Sequence, residues 1–374
     1  MRVMIHRVRA PMRRFGHARA TRDVAEGVIV RVQRDGIEGL GECVPRDYVT
    51  GETAETVFTA LSQLDLADIA NRVASGDPDA AARAIAALDL PSLLRQGQAL
   101  GLAAACSLEL ALLDAAHKAV GRPLVATRIA RHPLSRTLDT TKSPERFFEE
   151  RAPGIATVVK VKVGLDRADD VERVRRTRQL GGSAMVLAID GNMAWTVDEA
   201  CVMADLLRPY DVAWYEEPLA RHAFDDDRRL RARAGIRIML DESLCSYADA
   251  ETALASGACD LFNIRLSKNG GFLASGKLVE LARRHGIGVQ LGTHPGSHAI
   301  LRAAEWSFAH AIEPLVSIEA VPSGVWFEQE LVHEQLRLDL DRSRVVPLDG
   351  AGLGITLRED MLDALTVERA ELFA

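Results

Sequence analysis

Along the middle of the chain, short apolar runs keep ending in a polar or charged group. AMVLAID closes on Asp190, VAWYEEP carries Glu216 and Glu217, and IRIMLDE closes on Asp241 and Glu242. DLFNIRLSK closes on Lys268 and GVQLGTH on His294. Starting from Lys162 in VVKVKVG, the steps to Asp190, Glu216, Asp241, Lys268 and His294 are 28, 26, 25, 27 and 26 residues. A segment of that length holds a strand, a helix and two short connections, so the pattern predicts a repeated parallel β/α unit. Intervening segments such as ADDVERVRRTRQLG and VDEACVMADLLRPY have the apolar spacing of amphipathic helices. Eight strands are expected, from LSRTLDT at Leu134 to LVSIEA, which ends near Glu319. In a closed (β/α) barrel the C-terminal strand ends converge on one mouth, where active sites lie.

The flanks read differently. GVIVRV and IEGLGECV surround Asp35-Gly36, a hairpin signal. PRDYVTGET, Pro45 to Thr53, is expected to be a loop or a lid over a pocket. A break is expected at Gly76-Asp77-Pro78, and a helix over Ser107 to Val120 that stops at Gly121. The chain thus divides into an α+β region over 1–125, the barrel over 126–327, and a segment over 328–374 that packs back on the first region. Met1 to Arg22 is Arg-rich, but RVMIHRV is expected to be a first strand rather than a cleaved leader.

Composition narrows the function classes. Among 374 residues, 48% are hydrophobic, enough for a full core. A formal charge of −7 argues against a nucleic-acid surface. No apolar run is long enough to span a bilayer. The five scattered Cys fit reduced thiols, and a cytoplasmic location is expected. A homo-oligomer with a small-molecule carboxylate substrate is expected, with no nucleic-acid or membrane partner.

The polar groups at the mouth then acquire chemistry. Asp190, Glu216 and Asp241 end successive strands, and grouped carboxylates repel unless protonated or neutralised. A hard divalent cation such as Mg²⁺ is the usual neutraliser, with Mn²⁺ as substitute. Each acid alone reads more readily as a helix-start residue, but all three in register with flanking lysines do not. Asn192 and Glu242 are expected to orient the ligands; Glu217 reads either as a ligand or as facing a neighbouring helix. Lys160 and Lys162, two apart, share one face of a strand. Alone they read as a solvated basic edge; beside the acids they read as a proton-transfer site. Lys162 and Lys268, on opposite sides of the mouth, are candidate acid/base groups, with Lys160 as electrostatic support. Abstraction of an α-proton from a carboxylate requires that the enediolate charge be stabilised as it forms, which a chelated Mg²⁺ would do.

These motifs together resemble the enolase superfamily in its muconate lactonizing branch, over nearly the whole length. The matching motifs are Lys160-Val-Lys162, Asp190-Gly-Asn192, Glu216-Glu-Pro218, Asp241-Glu-Ser243 and Lys268-Asn-Gly270-Gly271. Superfamily sites of this kind pair Lys or His bases with Mg²⁺. The resemblance implies a modified enolase-type barrel with an N-terminal α+β capping domain. It implies metal ligation by Asp190, Glu216 and Asp241, and acid/base roles for Lys162 and Lys268. Thr50-Gly51-Glu52-Thr53 resembles the specificity loop of dipeptide epimerases, making Tyr48 and Thr50 candidate substrate contacts. Those enzymes carry an Asp-x-Asp on strand eight; here Ser317-Ile-Glu319-Ala320 leaves Glu319 alone as a candidate for the substrate ammonium. His294 is a fourth candidate, which could bind substrate, donate a proton to a leaving group, or merely cap its strand. The expected activity is a racemase or epimerase of a dipeptide or amino-acid derivative. The alternatives are a hydroxy-acid or hydroxyproline dehydratase, o-succinylbenzoate synthase or muconate cycloisomerase.

Overall fold

A computed structural model describes residues 1–72, 78–88, 100–126, 131–150, 157–340 and 342–374. The N-terminal part opens with three antiparallel strands, β1 (Arg2–His17), β2 (Ala20–Arg34) and β3 (Ile37–Cys43). Asp35 and Gly36 join the last two with φ of 51° and 78°, so both central turn residues are left-handed, as a two-residue hairpin requires. Helices α1 (Asp47–Thr50), α2 (Ala54–Leu61), α3 (Leu66–Arg72), α4 (Pro78–Ala86) and α5 (Leu102–Ala119) follow. The expected break at Gly76-Asp77 lies outside the described residues, and Pro78 opens α4. Helix α5 is buried from Ala103 to Asp114 and lies against β3. The contact is so close that a Cβ on Gly39 or Gly41 would meet the Ala111 or Ser107 carbonyl oxygen. Only glycine permits it.

Eight parallel strands then form one sheet: β4 (Ser135–Leu138), β5 (Val158–Lys162), β6 (Val186–Asp190), β7 (Val212–Glu216), β8 (Ile238–Leu240), β9 (Leu261–Ile264), β10 (Gly288–Leu291) and β11 (Ser317–Ile318). A parallel bridge between Leu134 and Ile318 joins the last strand to the first. The fold is therefore the expected (β/α) barrel with a capping sheet. Seven helices accompany these strands: α6 (Pro144–Glu149), α7 (Arg167–Gly181), α8 (Val197–Leu207), α9 (Phe224–Ala234), α10 (Tyr247–Ser256), α11 (Phe272–Arg284) and α12 (Ala299–Ala311). Several starts are legible locally: Thr196 and Ser246 each cap their helix reciprocally with the residue three further on. Val158, Ala188, Trp214, Met239 and Leu261 pack together as a separate buried cluster of alternate strand residues.

The tail adds a small antiparallel pair, β12 (Leu338–Asp339) with β13 (Arg344–Val345), then α13 (Glu359–Leu365) and β14 (Thr366–Phe373). Strand β14 pairs antiparallel with β1, so the end of the chain completes a four-stranded capping sheet. No helix among the described residues is long and apolar enough to cross a membrane.

Candidate active site

Strand β5 is buried along its whole length, including Lys160 and Lys162, so the solvated-edge reading of this lysine pair does not hold. Two buried ammonium groups require carboxylate partners, and the barrel interior provides them. Lys160 Nζ lies 2.8 and 2.9 Å from the two oxygens of Glu216 and 2.6 Å from Glu319 Oε1. Lys162 Nζ donates to Asp190 Oδ2 at 2.5 Å and Asn192 Oδ1 at 2.9 Å. Asn192 in turn donates to Glu242 Oε1 at 3.0 Å. Burial alone would lower the Lys160 pKa, but Glu216, Glu319 and Asp190 together raise it. Burial alone would raise Asp190, but Lys162 and Lys160 hold it below the usual carboxylate range. Burial pushes Glu242 up to about 8, with the Asp190 and Glu217 charges adding to the shift.

Asp190, Glu216 and Asp241 converge: ligand oxygens from all three lie within 4.8 Å of one another, all buried. Three hard oxygen donors so close together fit a small divalent cation, with positions left for water or substrate. Glu217 points elsewhere. It accepts from the Asp241 and Ser243 amides at 2.7 and 3.2 Å and from the Ser243 hydroxyl, so it shapes the turn that carries Asp241.

The barrel mouth holds a cavity of about 340 Å³, at the small end of ligand pockets; Asp190, Glu216 and Asp241 lie behind its lining rather than in it. Lys160, Lys162, Asn192, Glu242, Glu319 and Tyr48 line it. Thr50 and His294 do not. Thr50 sits at the end of α1, and its buried hydroxyl has no partner. His294 is enclosed, and burial, then Arg265, Arg46 and Lys268, hold it well below its usual pKa. Glu319 reaches the cavity but is already engaged by Lys160, by the Thr137 hydroxyl at 3.2 Å and by the Thr293 amide at 3.2 Å. A substrate ammonium would have to compete with Lys160 for it. The expected lid is a single turn of helix. Its Glu52 carboxylate caps α5 by accepting from the Ala103 and Ala104 amides at 2.9 and 3.1 Å.

The largest departure from expectation concerns Lys268. Strand β9 ends at Ile264, and Lys268 falls in the turn beyond it. Its Nζ donates to the Asp241 carbonyl (2.7 Å), the Asn263 carbonyl (2.8 Å) and Asp241 Oδ1 (3.0 Å). An ammonium has three N–H bonds, so none is left for a substrate. The side chain is 0% exposed and does not line the cavity. Burial, then the Arg265 charge, lowers its pKa to about 7. That value suits an acid/base group working near neutral pH. The cavity is lined instead by Arg265, whose guanidinium pairs with Asp241.

Sequence reasoning missed Arg265, although a signal was present. Asn263 donates to Glu216 Oε1 at 2.9 Å and so faces the barrel interior. Alternation places the residue two further on, Arg265, on the same face. Gln290, which donates to Glu216 at 3.4 Å, was also missed, as was His17, which lines the cavity 3.4 Å from the Tyr48 hydroxyl.

Comparison with known proteins agrees with this architecture. Residues 1–126 match the mandelate racemase / muconate lactonizing enzyme N-terminal domain, and residues 145–361 match the enolase C-terminal domain-like family. A D-Ala-D/L-Ala epimerase of Cytophaga hutchinsonii is 29% identical over 91% of each chain. An N-succinyl-L-Arg/Lys racemase of Bacillus cereus is 26% identical over 98% of this chain and 97% of its own. The crystal structure of the Cytophaga hutchinsonii dipeptide epimerase complexed with Mg and D-Ala-L-Val superposes with a TM-score of 0.81 at 26% identity, covering 100% of this chain and 99% of that one. With both domains matched and the acidic triad assembled inside the barrel, the chain belongs to the enolase superfamily, in its muconate lactonizing branch, and is an isomerase.

Proposed function

We propose that this isomerase is Mg²⁺-dependent and moves the α-proton of a small carboxylate substrate with Lys162. Asp190, Glu216 and Asp241 would hold the ion. When bound, it supplies Lewis-acid stabilisation of the charge that develops on the substrate carboxylate. Lys160 holds Glu216 and Glu319 in place. Asp190 and Asn192, the latter held by Glu242, accept two N–H bonds of Lys162 and leave its third for the substrate.

The observation that carries this reading is the position of Lys162. It is held by Asp190, one of the triad, and by Asn192, yet 8% of its side chain remains exposed and it lines the cavity. The test is solvent exchange in deuterated water, followed by NMR, with L-Ala-L-Ala and N-succinyl-L-lysine as probes. Wild-type protein with Mg²⁺ should exchange the α-proton, and Lys162→Ala should slow exchange at least ~10³-fold while its circular dichroism is unchanged. Undiminished exchange in Lys162→Ala would refute the role.

Two overall reactions are compatible with this step. Racemisation or epimerisation of a dipeptide or amino-acid derivative is supported by the activities of the two relatives. It calls for a proton donor on the face opposite Lys162. Cycloisomerisation needs one acid/base group, and chloromuconate cycloisomerases are also among the relatives.

A further inference from the structure

We infer that the free edge of β14 is an interface for a second copy of this chain, paired antiparallel about Ala370 so that the two capping sheets join into one. In the capping sheet the order is β14-β1-β2-β3, so β14 and β3 are its edges. Strand β3 is covered by α5. Strand β14 pairs with β1 on one side, and no strand among the described residues pairs with its other side. Exposed edges are normally blunted by Lys, Pro or a bulge. The stretch from Glu368 to Phe373 has neither residue, and the shift in register with β1 falls before it, between Arg7 and Val8. Its outer face instead carries two exposed hydrophobic side chains, Val367 at 48% and Phe373 at 72%.

The backbone of β14 fixes which register a partner can take. The Met1 nitrogen donates to the Ala374 carbonyl at 3.1 Å, and the Ala374 amide donates to the Met1 carbonyl at 3.0 Å. Residues 1 and 374 are therefore a hydrogen-bonded pair, one step beyond the pairing of Arg2 with Phe373. Alternation then turns the backbone groups of Leu372, Ala370 and Glu368 toward β1, and those of Phe373, Glu371 and Arg369 away from it. The side chains of these last three share one face and are all exposed. Pairing centred on Ala370 sets Arg369 opposite Glu371 of the second copy, and Glu371 opposite its Arg369. Outward backbone groups then meet outward backbone groups. Val367 and Phe373 fall opposite each other at both ends. At the two-fold axis, where a residue must face itself, stands the small neutral Ala370. A register shifted by one residue would oppose outward amides to groups already turned toward β1. A shift by two centres the pairing on Arg369 or Glu371 and brings like charges face to face, which is unfavourable. Within one copy, Glu371 pairs with Arg2, and the Arg369 guanidinium lies 3.8 Å from Met4 Sδ, so both charged groups are held at the edge.

The test is association of the full chain, independent of turnover. Sedimentation velocity over about 1–100 µM should show a dimer. Arg369→Glu opposes like charges twice and should raise the dimer dissociation constant at least ~10-fold, with circular dichroism unchanged. Adding Glu371→Arg to that variant restores both opposite-charge pairs and should recover most of the loss. Under diamide, Ala370→Cys should give a covalent dimer on a non-reducing gel, since directly opposed residues of a non-hydrogen-bonded pair lie within disulfide reach. Glu368→Cys, which lies opposite Leu372, should cross-link no faster than wild type. A monomer at every concentration, a dimer indifferent to Arg369→Glu, or Ala370→Cys cross-linking no faster than Glu368→Cys overturns the inference.

Discussion

The two walls of the barrel mouth obey different geometric rules. On the first wall, β5, β6 and β7 run straight into the site, and Lys162, Asp190 and Glu216 are each the last residue of their strand. On the second wall the strands stop sooner. Asp241, Arg265 and Glu319 each sit one residue past the end of β8, β9 and β11. Lys268 and His294 lie four and three residues past theirs, and neither lines the cavity. A side chain at a strand end, or one step beyond, still inherits the alternation of the strand. Further along, the turn sets its direction. Around Glu216 the walls differ too: Lys160 of the first answers it with charge and Asn263 and Gln290 of the second with neutral amides, while Arg265 and Lys268 of the second wall pair with Asp241.

This contrast can be broken at several points. The largest effect should come from the ion shared by both walls. Dialysis against a chelator should abolish turnover, and returning Mg²⁺ should restore it and raise the Tm in proportion to the logarithm of ion concentration. A Tm indifferent to Mg²⁺ would mean that the triad does not bind it. Next, Lys160→Met on the first wall leaves Glu216 and Glu319 buried without their cation. A loss of about 3–5 kcal/mol is expected in urea unfolding of the ion-free protein. On the second wall, Asn263→Ala removes one neutral amide from a carboxylate that keeps Lys160, and should cost about 2 kcal/mol. Equal costs for the two substitutions would erase the distinction between the walls. The smallest effect belongs to the cap. Thr50→Val replaces a buried, unpartnered hydroxyl outside the cavity, so stability should move by no more than about 0.5 kcal/mol and KM should stay unchanged. A several-fold rise in KM would return Thr50 to the substrate site.

The spacing of the apolar runs was sufficient to locate the barrel, because each run buries a strand and each strand needs its crossover helix. The acidic triad was legible for the same reason, since Asp190 and Glu216 end their strands and Asp241 follows directly on Leu240. The Asp35-Gly36 hairpin was legible because few residue pairs accept two left-handed conformations in succession. The direction of Lys268 was not legible, because β9 closes at Ile264 and the chain turns before reaching it. Glu319 reaches the cavity as expected, but its partner Lys160 comes from a strand more than 150 residues earlier, and no local pattern reveals that pairing.

What the amino-acid order determined by itself was periodicity: which runs are strands, how many there are, and which acids end them. That information is local, because it depends on backbone alternation and helix-length crossovers. Which basic side chain lines the cavity was decided only in three dimensions. Lys268 and Arg265 are three residues apart and both basic, and the fold alone assigns one to three protein acceptors and the other to the cavity. The physical reason is that a buried ammonium must satisfy all its donors, and the acceptors that do so here, the Asp241 and Asn263 carbonyls, meet only when the barrel closes.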